Sequence, residues 1–158
     1  MSEVTLEAVK ARQDEIIEMI QQLEVQASAQ RPVTLAFAAV DVTLQPGERY
    51  AGQVLNEDGT LKHHLVVLAA TPDERLTWAD AGAWAASVGG DLPTRQEAAL
   101  MFANCKPHLE AGWHWTSEVY ESDASYAWYC GFYYGGQGND RKSYEGLARA
   151  VRLIPFAA

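Results

Sequence analysis

Three patterns of apolar and polar positions succeed one another along this chain. From Leu6 to about Ala29 there is no Gly or Pro, and Leu6, Val9, Gln13, Ile16, Ile20, Leu23 and Ala27 recur in steps of three and four. That spacing predicts one helix whose seam faces a partner over about three heptads. A helix this short has no core of its own, so something must cover its apolar stripe. Self-association does so most simply. The alternative is that the helix folds back on its own domain, with Ile17, Met19 and Val25 widening the apolar face. A polar residue at a seam position, here Gln13, sets register or oligomer number, and Ile at both Ile16 and Ile20 favours three strands or more. The expected assembly is a homotrimer held by Leu6, Val9, Gln13, Ile16, Ile20 and Leu23.

Arg31-Pro32 ends the helix, because Pro lacks the N–H and disfavours helical geometry in the residue before it. Residues 1–30 are thus read as an oligomerising coiled coil, 31–47 as a linker or first strand, and 48–158 as one compact domain. In that domain the pattern changes to alternation. Tyr50–Leu55 and Thr60–Leu68 flank the polar turn Asn56-Glu57-Asp58-Gly59, which predicts a β-hairpin with a buried second strand at Leu65-Val66-Val67-Leu68. Helical spacing returns twice. Thr77 with Asp80 starts a helix at Trp78, whose inward face is Ala81, Trp84, Ala85 and Val88, and Gly89-Gly90 stops it. Thr94 and Glu97 have capping-box spacing for a second helix with Ala98, Met101, Phe102 and Cys105 inward, ended by Lys106-Pro107.

Beyond Gly112 the chain reads as short aromatic strands, Trp113–Ser117, Tyr126–Tyr133 and Ala148–Ile154, separated by polar loops at Glu118–Ser125 and Tyr134–Gly146. By period-two alternation Trp128, Cys130 and Phe132 share the core face, with Tyr126 at the entry, and Tyr129 and Tyr133 point the other way. Arg152, opposite Val151 and Leu153, is expected to be a structural ion-pair partner.

Four collinear segments carry a family resemblance: Leu92-Pro93-Thr94-Arg95-Gln96-Glu97, Trp113-His114-Trp115-Thr116-Ser117-Glu118, Ala127-Trp128-Tyr129-Cys130-Gly131-Phe132 and Arg149-Ala150-Val151-Arg152. Over residues 65–154 the chain resembles the DUF1566 (Lcl C-terminal) family, which is similar to the formylglycine-generating-enzyme branch of C-type-lectin-like folds, a branch that includes phage receptor-binding proteins. The resemblance implies an α+β class: a C-type-lectin-like domain with two helices and small twisted antiparallel sheets, preceded here by the N-terminal coiled-coil helix. It implies no fixed activity, because function resides in sites grafted on a fold.

Charge and chemistry narrow the function. Twelve basic against 21 acidic residues give a formal charge of -9, which disfavours a nucleic-acid partner. No apolar run approaches the roughly 20 residues needed to cross a bilayer, and the N-terminus lacks a signal-peptide layout, so synthesis in a host cytoplasm is expected. Cys105 and Cys130 lack metal-site or paired-redox spacing and read as buried thiols, with a disulfide as the alternative. His114 is expected to face solvent from a strand, and His63-His64 to decorate a hairpin edge. Gly138-Asn139-Asp140 is read as a turn rather than part of a calcium site. No catalytic set, metal or cofactor is expected.

What remains is a surface. Tyr120, Tyr129, Tyr133, Tyr134 and Tyr144 with Asn139, Asp140 and Arg141 combine rigid aromatic anchors with adaptable polar groups, as paratopes do. The expected function is a non-catalytic phage virion protein, a tail-fibre or receptor-binding component that binds a host surface glycan or protein. The alternatives are a virion structural or decoration protein contacting other virion subunits, and an enzyme or cell-envelope binding module of a bacterium.

Overall fold

The computed structural model describes residues 4–29, 34, 36 and 39–156. It divides into two units, residues 1–36 and 37–158. The described residues form a mixed α+β structure with three α-helices and two three-stranded antiparallel sheets. In the first unit, α1 (Leu6–Ala29) is a single 24-residue helix, and the Thr5 hydroxyl accepts the Ala8 N–H at its start. None of its residues is buried; Ile16 and Ile20 are about half exposed. Residues 39–45 form no strand, and the remainder of Val33–Leu44 lies partly outside the described residues.

The second unit opens with the hairpin of β1 (Arg49–Leu55) and β2 (Leu61–Val67). Its turn closes because Gly59 takes a φ of +83° and Asp58 Oδ1 accepts both the N–H and the hydroxyl of Thr60. The last strand, β6 (Val151–Pro155), returns to pair with β2, giving the order β1-β2-β6. β2 is therefore central, and five consecutive residues, His63 to Val67, are buried. This corrects the expectation for His63 and His64. They lie in the middle of a sheet, where both faces are covered, and not on its edge.

Two helices follow, α2 (Trp78–Ser87) and α3 (Arg95–Cys105), each started by the predicted threonine. Thr77 accepts the Asp80 N–H, and Thr94 with Glu97 forms a complete capping box. Cys105, Met101 and Ala98 of α3 pack with Leu65, Val67 and Ala51 of the first sheet, together with Val151, Cys130 and Phe132. Burying each large side chain of this set contributes about 1.5–3 kcal/mol. A second cluster joins Ala81 and Ala85 of α2 to Trp115, Ala127, Leu92 and Ala150.

The second sheet is β3 (Trp113–Val119), β4 (Tyr126–Gly131) and β5 (Gln137–Arg141), in that order. β5 corrects the reading of 134–146 as one long loop. Its residues pair with Tyr126–Cys130 of β4, Tyr126 opposite Arg141 and Cys130 opposite Gln137. The alternation along β4 also differs from expectation. Cys130 and Phe132 are core, but Trp128 is only half-buried and lies under the guanidinium of Arg95, 3.5 Å from its ring centroid. Tyr129 is half-buried, with one side packed against the second cluster.

Two buried or half-buried polar pairs lock the unit. Arg152 clasps Glu48 through Nε and Nη2, at 3.0 and 2.7 Å, and Nη2 also donates to the Thr43 carbonyl. That hydrogen bonding holds the Glu48 carboxyl below its usual pKa, and Arg152 is the structural partner expected of it. Inside the core, His63 Nε2 lies 2.8 Å from Glu97 Oε1, while Glu97 Oε2 accepts the Thr94 N–H at 2.9 Å. Glu97→Ala removes a helix cap and leaves His63 buried without its partner. It is expected to lower unfolding free energy by roughly 3 kcal/mol in urea titrations, whereas Glu97→Gln, which can still hydrogen-bond both neighbours, is expected to lose less than half of that.

Candidate recognition cleft

The turn between β4 and β5 is built to hold two tyrosines outward. The Gly131 N–H donates to the Gly136 carbonyl, and the Gly135 N–H donates to the Gly131 carbonyl, each at 2.8 Å. Gly135 has φ +76°, and a Cβ there would stand 2.6 Å from the Phe102 ring, so only glycine fits. Lys106 Nζ adds a bond to the Tyr133 carbonyl, and the Phe132 N–H donates to the Gly112 carbonyl. The turn is thereby pinned to α3 and to the start of β3. On it, Tyr133 is 59% and Tyr134 93% exposed, and their ring centroids are 6.2 Å apart.

Beside this turn lies a cleft of about 490 Å³ lined by Arg75, Trp113, Tyr129, Tyr133, Tyr134 and Gln137, together with backbone at Gly112, Gly131 and Gly136. This is within the size range of small-ligand sites. Trp113 forms its rigid wall: its ring meets Trp115 edge-on at 5.0 Å and Tyr129 at 5.3 Å, and it lies so close over Gly146 that any Cβ there would overlap it. Tyr129 in turn covers Gly138, where a Cβ would meet its hydroxyl.

Of the eight residues expected at a recognition surface, Tyr129, Tyr133 and Tyr134 line this cleft. Tyr120, Asn139, Asp140, Arg141 and Tyr144 do not. Tyr120 is half-buried against Trp128 and Tyr126, and Arg141 Nε donates to the Tyr126 hydroxyl. Asn139 and Asp140 are half-buried on β5 opposite Trp128 and Ala127, and Tyr144 is half exposed beyond its end. Arg75, Trp113 and Gln137 are the lining residues that sequence reasoning missed. Trp113 alone had a signal, being an aromatic at a strand start.

Several groups with reactive chemistry are withdrawn from solvent. Cys105 and Cys130 are buried free thiols, and burial raises the pKa of both. Arg149 is buried with Nη2 on the Leu68 carbonyl and no partner for Nε. Among the described residues no group of three or more His, Cys, Asp or Glu side chains is placed to hold a metal ion. His114 corrects its expectation: it is 2% exposed, its ring tilted against Phe132 with centroids 4.5 Å apart and its Nδ1 3.3 Å from the Gly112 carbonyl. No protein-family model matches the chain, and no curated protein shows significant similarity to it.

Burial pushes the His114 pKa down to about 4 from 6.5, against the opposing pull of the Gly112 carbonyl. The unfolded chain therefore takes up a proton between those values that the folded one refuses, and stability falls as pH drops from 6.5 toward 4. Between pH 7 and pH 5 the loss is expected to be about 2 kcal/mol. Urea titrations at the two pH values check this, and His114→Leu is expected to be less stable at pH 7 but to lose most of the pH dependence.

Proposed function

We propose that the chain is a non-catalytic, oligomeric phage virion protein that displays a C-type-lectin-like domain of the DUF1566 type to bind a host surface receptor, as a tail-fibre or receptor-binding component. The observation that carries this reading is the aromatic cleft beside a braced turn, with Tyr134 almost wholly exposed. A rigid turn that keeps large aromatic surface in water has the character of a binding site awaiting its partner. The order of hairpin, two helices, second sheet and returning strand agrees with the lectin-like architecture that the sequence resemblance implies. The virion assignment rests on that resemblance.

The exposed stripe of α1, Leu6, Val9, Ile16, Ile20 and Leu23 with Gln13, supports association into a homotrimer. A trimer sets three clefts on one particle-borne stalk, and linked sites raise avidity about 10²–10⁴-fold over one site. Non-catalytic display fits the enclosure of Cys105, Cys130 and His114. The charge of -9 disfavours nucleic acid as the partner, and no helix among the described residues is long and apolar enough to cross a membrane.

One blocking experiment tests both halves. Purified full-length chain, added to host cells before the phage, is expected to inhibit adsorption. A version beginning at Arg31, monomeric by mass measurement, should need at least tenfold more protein. Tyr133→Ala/Tyr134→Ala should fail to block while melting normally. If the full-length chain leaves adsorption unchanged, the receptor-binding reading fails, and contact with other virion subunits becomes the better account.

A further inference from the structure

The aromatic cleft does not end at its own rim. Gln137, on β5, lines it and also lines a second, polar cleft of about 530 Å³ that includes Lys62, Arg95 and Glu118. Gln137 stands between the two because it exchanges hydrogen bonds with Arg95: Arg95 Nε donates to Gln137 Oε1 at 2.9 Å, and Gln137 Nε2 donates to the Arg95 carbonyl at 2.7 Å. The Arg95 guanidinium is held over Trp128 as well. These contacts orient the side chain and neutralise none of its charge.

Charge in the two linings runs against that of the whole chain: they hold Arg75, Lys62 and Arg95 against the single carboxylate of Glu118. Among the described residues the Lys or Arg side chain in a salt bridge is Arg152, with Glu48, so Arg75, Lys62 and Arg95 have no salt-bridge partner. The one carboxylate in either lining, Glu118, is engaged by the Arg95 backbone N–H at 2.6 Å. A chain of net charge -9 thus gathers three cations about two clefts that share Gln137, the first of them walled by aromatic rings. Such a surface complements an anion locally while the remainder repels it, which favours a defined guest over general polyanion binding. The rings decide its kind. Trp and Tyr faces accept the flat C–H faces of sugar rings, and Gln and Arg donate to carboxylates and hydroxyls.

The geometry points to a linear, carboxylate-bearing oligosaccharide as the ligand. One sugar ring lies in the aromatic cleft against Trp113 and Tyr134 with its carboxylate at Arg75, and the chain continues past Gln137 to bring a neighbouring carboxylate to Arg95 and Lys62. This rests on the receptor-binding reading and gives its ligand a chemistry.

Titration calorimetry on the full chain tests it, with hexamers of galacturonate, of a glucuronate-containing glycan and of sialic acid as probes, alongside their carboxyl-reduced neutral counterparts, the matching dimers, and oligoglutamate. At least one acidic hexamer is expected to bind about tenfold or more tightly than its neutral counterpart, its dimer and oligoglutamate. Arg75→Gln and Lys62→Gln should each weaken that hexamer about three- to tenfold without changing the melting temperature. Equal binding of neutral and acidic hexamers, equal binding of dimer and hexamer, competition by oligoglutamate at the same concentration, or binding of none of the acidic hexamers overturns the proposal. If none binds while full-length chain still blocks adsorption and Tyr133→Ala/Tyr134→Ala does not, the saccharide assignment falls and receptor binding stands. Failure of the blocking experiment removes the reading beneath both.

Discussion

The first turn of α3 is the joint on which the second unit depends. The N–H groups at a helix start have no partners within the helix and must find acceptors elsewhere. Here two carboxylates, Glu97 and Glu118, each accept one of these N–H groups, and Glu97 makes a further contact beyond the helix. Glu97 Oε2 closes on Thr94 in the helix itself, Glu97 Oε1 meets His63 on the central strand of the first sheet, and Glu118 from β3 of the second sheet accepts the Arg95 N–H. One helix end thereby ties the two sheets together. Because Arg95 is fixed at this joint, its side chain can cover Trp128 and hold Gln137, so the wall shared by the two clefts is positioned by the same few bonds.

The cleft inherits its rigidity from close packing of rings on glycine. Trp113 over Gly146, Tyr129 over Gly138 and Phe102 against Gly135 each occupy space that a single added carbon would claim. Aromatic walls fixed in this way lose little freedom when a guest arrives, which is where preformed sites gain affinity over flexible ones. The thiols of Cys105 and Cys130 and the ring of His114 lie inside the core.

How much of this was legible in the sequence depended on the range of the forces involved. The capping pairs Thr77–Asp80 and Thr94–Glu97, the Asn56–Gly59 turn and the apolar run Leu65–Leu68 are local, and their spacing alone located α2, α3 and the hairpin. β5 was missed because Gln137-Gly138-Asn139-Asp140-Arg141 contains poor strand formers and becomes a strand only by pairing with β4. The histidines were misread for a related reason. His63 is buried because β6 returns from 88 residues later in sequence to flank β2, and its partner Glu97 sits 34 residues away, neither of which periodicity records. In the site, the tyrosines of the turn announced themselves by type and Trp113 by its place at a strand start, but Arg75 and Gln137 come from distant segments and were invisible singly.

The central claim is that the cleft beside Tyr134 meets a host surface molecule. A photoreactive benzoyl-phenylalanine placed at position 134 in assembled particles, irradiated during adsorption to host cells, tests this most directly. The account predicts cross-links to a host envelope glycan or protein that appear only when cells are present. Cross-links to another virion subunit formed equally without cells would contradict it.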